Sequence, residues 1–293
     1  MADFLDVVPA VRDYFAQAGI RVDENGFEET YSRIAEDPAH SKLASKIEKA
    51  VYDYFGSLVL PPTPTLYDHL LLSLRGKDVI ATFNWDPFLL QAAKRCGLLK
   101  GEEAPRLLFL HGNVLVGFCP ACSALGHKGN HCSRCRKEFK PSRLLYPIAN
   151  KDYRSDPMIA LQWDELEQSL KDAFMVTIFG YGAPVSDRAA VDILKGAWAP
   201  NTPSVMEQFE IIDIRDEDDL LASWCPFIHT HHYEVHTDFY DSWIAQHPRR
   251  TGEAYRNQYI EAKWISNNSI PTDLGFPEIW DWYEPLVKRE RNT

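Results

Sequence analysis

Residues 119–135 read CPACSALGHKGNHCSRC, two Cys-x-x-Cys pairs separated by nine residues. Each pair sets two thiolates on one tight turn, about 3.5–4 Å apart, and two such turns close a tetrahedron around zinc. The spacing therefore assigns Cys119, Cys122, Cys132 and Cys135 as the ligands of a structural Zn2+. His127 and His131 lie inside the loop, and four thiolates leave them as bystanders. A closed four-thiolate shell has no open position for water, so the metal is not the catalyst. With only nine residues between the pairs, the module reads as an insert in a larger fold. It begins seven residues after the dipeptide His111-Gly112.

The rest of the chain supplies that fold. It has 293 residues, 45% of them hydrophobic, which is enough for one large or two modest cores. Cys96 and Cys225 stand apart from the two pairs, a pattern that suits a metal site in a reducing cytoplasm better than a disulfide framework. Lys and Arg total 31 against 42 Asp and Glu, a net charge of −11. Such an acidic surface argues against broad binding to nucleic acid or to an anionic membrane. The local basic group Lys128, Arg134, Arg136, Lys137, Lys140 and Arg143 reads either as a nucleic-acid ribbon or as a solvated loop surface, and the overall charge favours the second. No apolar run has the length of a membrane span. The start, MADFLDVVPAVRDYF, lacks the basic region of a secretory signal.

Periodicity places the elements. Residues 1–57 read as helical, with Phe4, Leu5, Val8 and Val11, then Leu43, Ile47, Val51 and Tyr54, at helical spacing. PPTPT at 61–65 is a connector into the helix LYDHLLLSLR. Strands are expected at 78–82, 106–110, 175–179 and 209–214, with PFIHT or HHYEV as a fifth. Helices are expected at 87–97, 156–174 and 186–198, the last capped by Ser186 or Asp187. From about 250 the tail reads as helical, its tryptophans serving packing. Strands alternating with helices predict an α/β fold, a Rossmann-like, mostly parallel sheet with helices on both faces.

Ligands of such sheets bind beyond the carboxyl ends of the strands. Those ends deliver Thr82, Phe83, Asn84, Trp85 and Asp86, then His111 and Gly112, then Gly180, Tyr181, Gly182, Ser186 and Asp187, then Asp213 and Arg215. Each has a plain structural alternative. Asn84 and Asp86 could cap the helix that starts near Pro87, His111 could be a satisfied core residue, and the glycines could form a tight turn. Together they put an amide, a carboxylate, an imidazole and glycines on one sheet edge. Such a set can orient a sugar, hold a carboxamide, take a proton and bring phosphates close to backbone.

The order of these motifs resembles the sirtuin family, and more closely its divergent prokaryotic sirtuin-like branch. Sirtuins carry Thr-Gln-Asn-Ile-Asp, a His-Gly pair, a four-Cys zinc module and, after a later strand, a Gly-Thr-Ser turn. Here TFNWD stands at 82–86, HG at 111–112, CPAC and CSRC at 119–122 and 132–135, and GYG at 180–182. The match covers about 75–225. It implies a sirtuin-like NAD-binding domain over 1–250, with the zinc module at 115–143 inserted, and a helical C-terminal extension over 251–293. NAD+ is then consumed as a substrate. Asn84 matches the residue that faces the nicotinamide ribose, and Asp86 the one that reads the carboxamide. His111 matches the general base, and Gly180 the glycine where backbone meets the cofactor. Thr82, Gly182 and Asp213, at the ends of the same strands, complete the expected cofactor-binding set.

Three departures accompany the resemblance. Phe83 and Trp85 replace Gln and Ile, and Gly182 replaces a phosphate-contacting Ser. The Gly-Ala-Gly-x-Ser strand and Pro-Asp-Phe-Arg loop of sirtuins are not found in 1–293, so their phosphate cradle is expected to be absent. Within the sirtuin-like reading, cleavage of NAD+ to free nicotinamide, as in the branch tied to prokaryotic defence, fits better than protein deacylation. The competing reading is a non-catalytic zinc-ribbon protein, or a degenerate sirtuin-like scaffold, that binds nucleic acid or a protein partner through 128–143. A protein partner or a homo-oligomer is compatible with either.

Overall fold

The computed structural model describes residues 4–22, 26–98, 103–146, 148, 151–183, 187–197, 208–225 and 232–290. Ser186 and PFIHT (226–230) lie outside them.

The N-terminal quarter is helical: α1 (Phe4–Val7), α2 (Pro9–Gln17), α3 (Phe27–Glu36) and α4 (Ser41–Ser57). Their apolar stripes converge on a core of their own, with Val11, Ile47 and Val51 fully buried. Trp85 and Tyr146 pack against that core, which brings the helical layer up to the loop after the first strand. The connector leads into α5 (Leu66–Ser73), started by a reciprocal cap between Thr65 and Asp68.

Two parallel ladders follow. One joins β1 (Val79–Thr82) to β2 (Arg106–Phe109), with α6 (Phe88–Arg95) as the crossover. The other joins β6 (Met175–Phe179), β7 (Gln208–Ile212) and β8 (Tyr233–His236), with α8 (Arg188–Ala197) and α9 (Glu217–Trp224) between them. Three short antiparallel strands are inserted after β2: β3 (Val116–Cys119), β4 (Ala124–His127) and β5 (Lys140–Pro141). They carry the cysteines. The expected parallel α/β architecture and the inserted module are both present.

Side chains alternate between two core layers, as the two-residue period of a strand requires. Val79, Ala81, Leu108, Val176, Ile178, Phe209 and Ile211 face one layer, with α7 (Pro157–Lys171), α8 and α9. Trp163 and Ile159 of α7 are fully buried there, each stabilising the fold by roughly 1.5–3 kcal/mol. Ile80, Leu107 and Ile212 face the other, with α5, α6, α10 (Trp243–Gln246) and α12 (Phe276–Glu290).

Among the described residues no ladder joins β1 to β6, and both strands are only half-buried along almost their whole length. Side chains span the interval. At the carboxyl ends Phe83 stacks on Tyr181, with centroids 4.1 Å apart and planes at 14°. At the amino ends, Glu253 of α11 (Thr251–Tyr255) binds Arg75 and Lys77 ahead of β1, while Gly252 lies against Phe174 ahead of β6.

The tail differs from its expected helix. After α11 a single π-turn (Arg256–Ile260) ends the helical run, and 261–275 is irregular until α12 begins. Asn268 and Ile270 donate their N–H groups to the carbonyls of Gln246 and Ala245, so the segment docks on the end of α10 instead of coiling. Pro271 has no N–H to offer a helix there.

The run FEIIDI reads as apolar, yet it buries a carboxylate. Glu210 is fully buried; it accepts from the Thr177 hydroxyl and from the Trp243 N–H. His236 Nε2 lies 3.3 Å from Glu210 and 3.5 Å from Glu234. These two carboxylates push the His236 pKa up to about 9. A raised folded-state pKa adds stability that is full below the unfolded value of about 6.5 and is lost as pH rises through about 9. Urea unfolding should therefore show wild type losing on the order of 2 kcal/mol between pH 6.5 and 9.5 that His236→Gln does not lose. Parallel curves for the two proteins would exclude this linkage.

Candidate active site and metal centre

The carboxyl ends of β1 and β2 open into a cavity of about 290 Å3. Phe83, Asn84, Trp85, Asp86 and His111 line it, together with Glu28, Phe55, Leu145, Lys151 and Asp187. Three of the expected site residues, Asn84, Asp86 and His111, are thus brought together. Thr82 supports them: its hydroxyl accepts the Asn84 N–H at 3.0 Å and shapes the turn. Asp86 serves twice. Its carboxylate accepts the Phe88 N–H at 3.0 Å, capping α6, and it also lines the cavity. Burial raises its pKa.

His111 is buried, 5% exposed. Its ring meets the edge of Phe83 at 4.8 Å and stacks beside Tyr153 at 5.8 Å. Nε2 lies 3.4 Å from the Tyr153 hydroxyl and 4.0 Å from the Asp187 carboxylate. Asp187 in turn pairs with Lys151, which is equally buried, and accepts from the Tyr181 hydroxyl at 3.2 Å. Desolvation dominates the imidazole and lowers its pKa to about 4, with Asp187 opposing and Lys151 reinforcing the shift. At neutral pH the ring is an uncharged proton acceptor.

The backbone around His111 is pinned from the metal module. Gly112 has φ +80°, and a β-carbon there would collide with the Arg143 carbonyl. The His111 carbonyl accepts the Leu145 N–H at 2.9 Å. Ser142 Oγ accepts the Asn113 N–H and donates to the Asn113 carbonyl, both at 2.9 Å. Asn113 is fully buried, and its amide donates to the Asp86 carbonyl at 2.6 Å. One side chain therefore ties the turn after β2 to the turn after β1.

The remaining expected residues lie on the β6–β7 side and do not line the cavity. Gly180 takes φ +62° and continues the ladder by donating to the Ile212 carbonyl. Gly182 lies against the Arg215 guanidinium. Asp213 binds Arg215 through two side-chain bonds, 2.8 and 3.2 Å, which hold its carboxyl below the usual range.

In the inserted module the sulfurs of Cys119, Cys122, Cys132 and Cys135 all lie within 4.8 Å of one another. Backbone N–H groups of Cys122, Cys132 and Arg136 close the turns that carry them. Four convergent thiols on two tight turns fit a tetrahedral zinc ion. His127 is exposed, its ring bonded to the Lys128 carbonyl, and takes no part. The basic residues are dispersed: Lys128 sits over Tyr52, and Arg134 holds the Cys122 carbonyl.

Lys151, Tyr153 and Asn113 carried no functional signal in the sequence. Asp187 did so as a helix cap and as one of the residues delivered beyond the strand at 175–179.

No protein-family model matches the chain. No curated protein matches it. Among solved structures the chain is similar to Sir2 bound to the inhibitor EX-527, 2'-O-acetyl-ADP-ribose and a deacetylated p53 peptide (14% identity, 85% of this chain and 90% of that one, TM-score 0.39). It is also similar to a Sir2 homologue bound to NAD (14%, 76% and 79%, TM-score 0.36) and to a mutant Sir2 homologue bound to ADP-ribose (15%, 69% and 77%, TM-score 0.36). At this level of likeness the site has to be read from its own residues. No described helix is long and apolar enough to cross a membrane.

Two outcomes follow from this geometry. Elemental analysis should find stoichiometric zinc that Cys132→Ser loses along with thermal stability; a metal-free wild type would remove the assignment. Gly112→Ala should cost at least about 2 kcal/mol in urea unfolding, from the left-handed φ and the carbonyl collision together.

Proposed function

We propose that the cavity binds the nicotinamide end of NAD+ and cleaves the nicotinamide–ribose bond, and that the chain is an NAD glycohydrolase rather than a protein deacylase. One observation carries the reading. A buried neutral imidazole, a carboxylate and an amide from two separate strand ends face one small cavity at the rim of a parallel sheet.

Its chemistry suits that reaction. As the glycosidic bond breaks, nicotinamide leaves with the bonding electron pair and positive character builds on the ribose carbon. Water then bonds to that carbon and gives up a proton. His111 is the base for that proton or for a ribose hydroxyl. Asn84 positions the attacking oxygen. Asp86, its carboxyl pKa raised by burial, addresses the carboxamide. Phe83 and Trp85 supply apolar walls that exclude bulk water. The volume of about 290 Å3 suits the nicotinamide riboside portion, with the phosphates lying out toward Gly180 and Gly182. Cys119, Cys122, Cys132 and Cys135 would hold a zinc ion that braces the loop pinning His111, and their closed thiolate shell would leave it no part in bond breaking.

Free nicotinamide should accumulate when the zinc-loaded protein is incubated with NAD+, at a rate that an acetylated peptide does not raise. His111→Ala and Asn84→Ala should each slow it by about 10²-fold or more. Variants as fast as wild type would remove the assigned roles, and a strict need for the peptide would favour deacylation.

A further inference from the structure

We propose that Asp187 is a positioning residue for His111, and that Lys151, bound to the same carboxylate, governs how strongly the imidazole feels it. This deepens the reading of the cavity given above and rests on it.

The geometry is that of a backed base. Nε2 of His111 lies 3.4 Å from the Tyr153 hydroxyl and 4.0 Å from Asp187, and Nδ1 is assigned the task of serving the substrate. When a ribose hydroxyl or a water is deprotonated, its O–H bond breaks, the electron pair stays on oxygen and the proton joins Nδ1. The imidazolium then carries a proton on each nitrogen, and the Nε2 proton points at a carboxylate 4.0 Å away.

Asp187 is fixed for this task. Oδ1, the oxygen nearest His111, pairs with Lys151, and Oδ2 accepts from Tyr181. The side chains of both charged residues are buried, 4% exposed for Lys151 and 6% for Asp187. A buried ion pair is a weak source of net stability, because desolvation offsets much of the attraction. Its position beside a buried imidazole gives it a different use. Burial keeps the imidazole neutral; the carboxylate favours the imidazolium and the ammonium disfavours it, so Lys151 offsets part of the pull of Asp187 while a counter-charge stays within reach. Facing the same imidazole are Tyr153 beside it and, around the cavity, Asp86 and Glu28.

The test reads His111 directly, by NMR titration of its ring in the full-length zinc-loaded protein, with His111→Gln identifying the signal. In Lys151→Met the midpoint should rise by about one pH unit, and in Asp187→Asn it should fall. In parallel, Asp187→Asn should lower kcat for nicotinamide release about 10²-fold while KM for NAD+ stays within about threefold. Midpoints that move in the same direction, or do not move, would overturn the proposal, as would a loss confined to KM. If Asp187→Asn fails to fold, Lys151→Met decides alone: a rise supports the coupling and an unmoved midpoint refutes it. If wild type releases no nicotinamide, the assigned reaction fails, and the two midpoints still decide whether Asp187 is coupled to His111.

Discussion

The carbonyl of Arg143 occupies the space that any side chain at position 112 would need, and the local geometry of the site is organised around that contact. Only a glycine in a left-handed conformation lets the chain leaving the metal module lie this close to the turn after β2. Once it does, Ser142 and Leu145 take up the backbone groups of Asn113 and His111. Asn113 passes the constraint on to Asp86. The inserted module thus meets the cavity through peptide groups, with residues 140–142 held beside β3 as they leave it.

Charge is handled in two different ways within one molecule. Around His111 burial wins over the neighbouring carboxylate, and the imidazole stays neutral. Around His236 two carboxylates win over burial, and the imidazole stays protonated until well above neutrality. The contrast is one of burial and of contact distance together. The His236 carboxylates stand at 3.3 and 3.5 Å, while the more deeply buried His111 has its nearest carboxylate oxygen at 4.0 Å, and that oxygen is already paired with Lys151. The first arrangement suits a group that must accept a proton, the second a group that bridges two strands.

Much of this was legible from the chain alone, for physical reasons. Cysteine spacing is a local property and survives any tertiary context. Alternating strands and helices gave the parallel α/β layout, and the rule for strand ends brought Asn84, Asp86 and His111 to one place. What stayed hidden depends on contacts distant in sequence. Lys151 lies 36 residues from its partner Asp187, and nothing local marks it. Glu210 sits inside an apolar run and is buried because Thr177, Trp243 and His236 meet it from three other segments. The tail after Ile260 lost its helix to carbonyls at the end of α10, a competition that propensity does not register. Gly180, Gly182 and Asp213 reached the expected rim but stand beside the cavity, since where a strand ends does not say which way its loop turns.

The interval between β1 and β6 gives the molecule an unusual mechanical character. Peptide hydrogen bonds make a continuous sheet stiff across its strands. Here the two halves are held together by the Phe83–Tyr181 stack at one end and by Glu253 at the other. The core layer packed on α7, α8 and α9 is shared by both halves as well. Phe83 is a cavity wall and Tyr181 holds Asp187. A shift along the seam would therefore reach the cavity wall and Asp187 together.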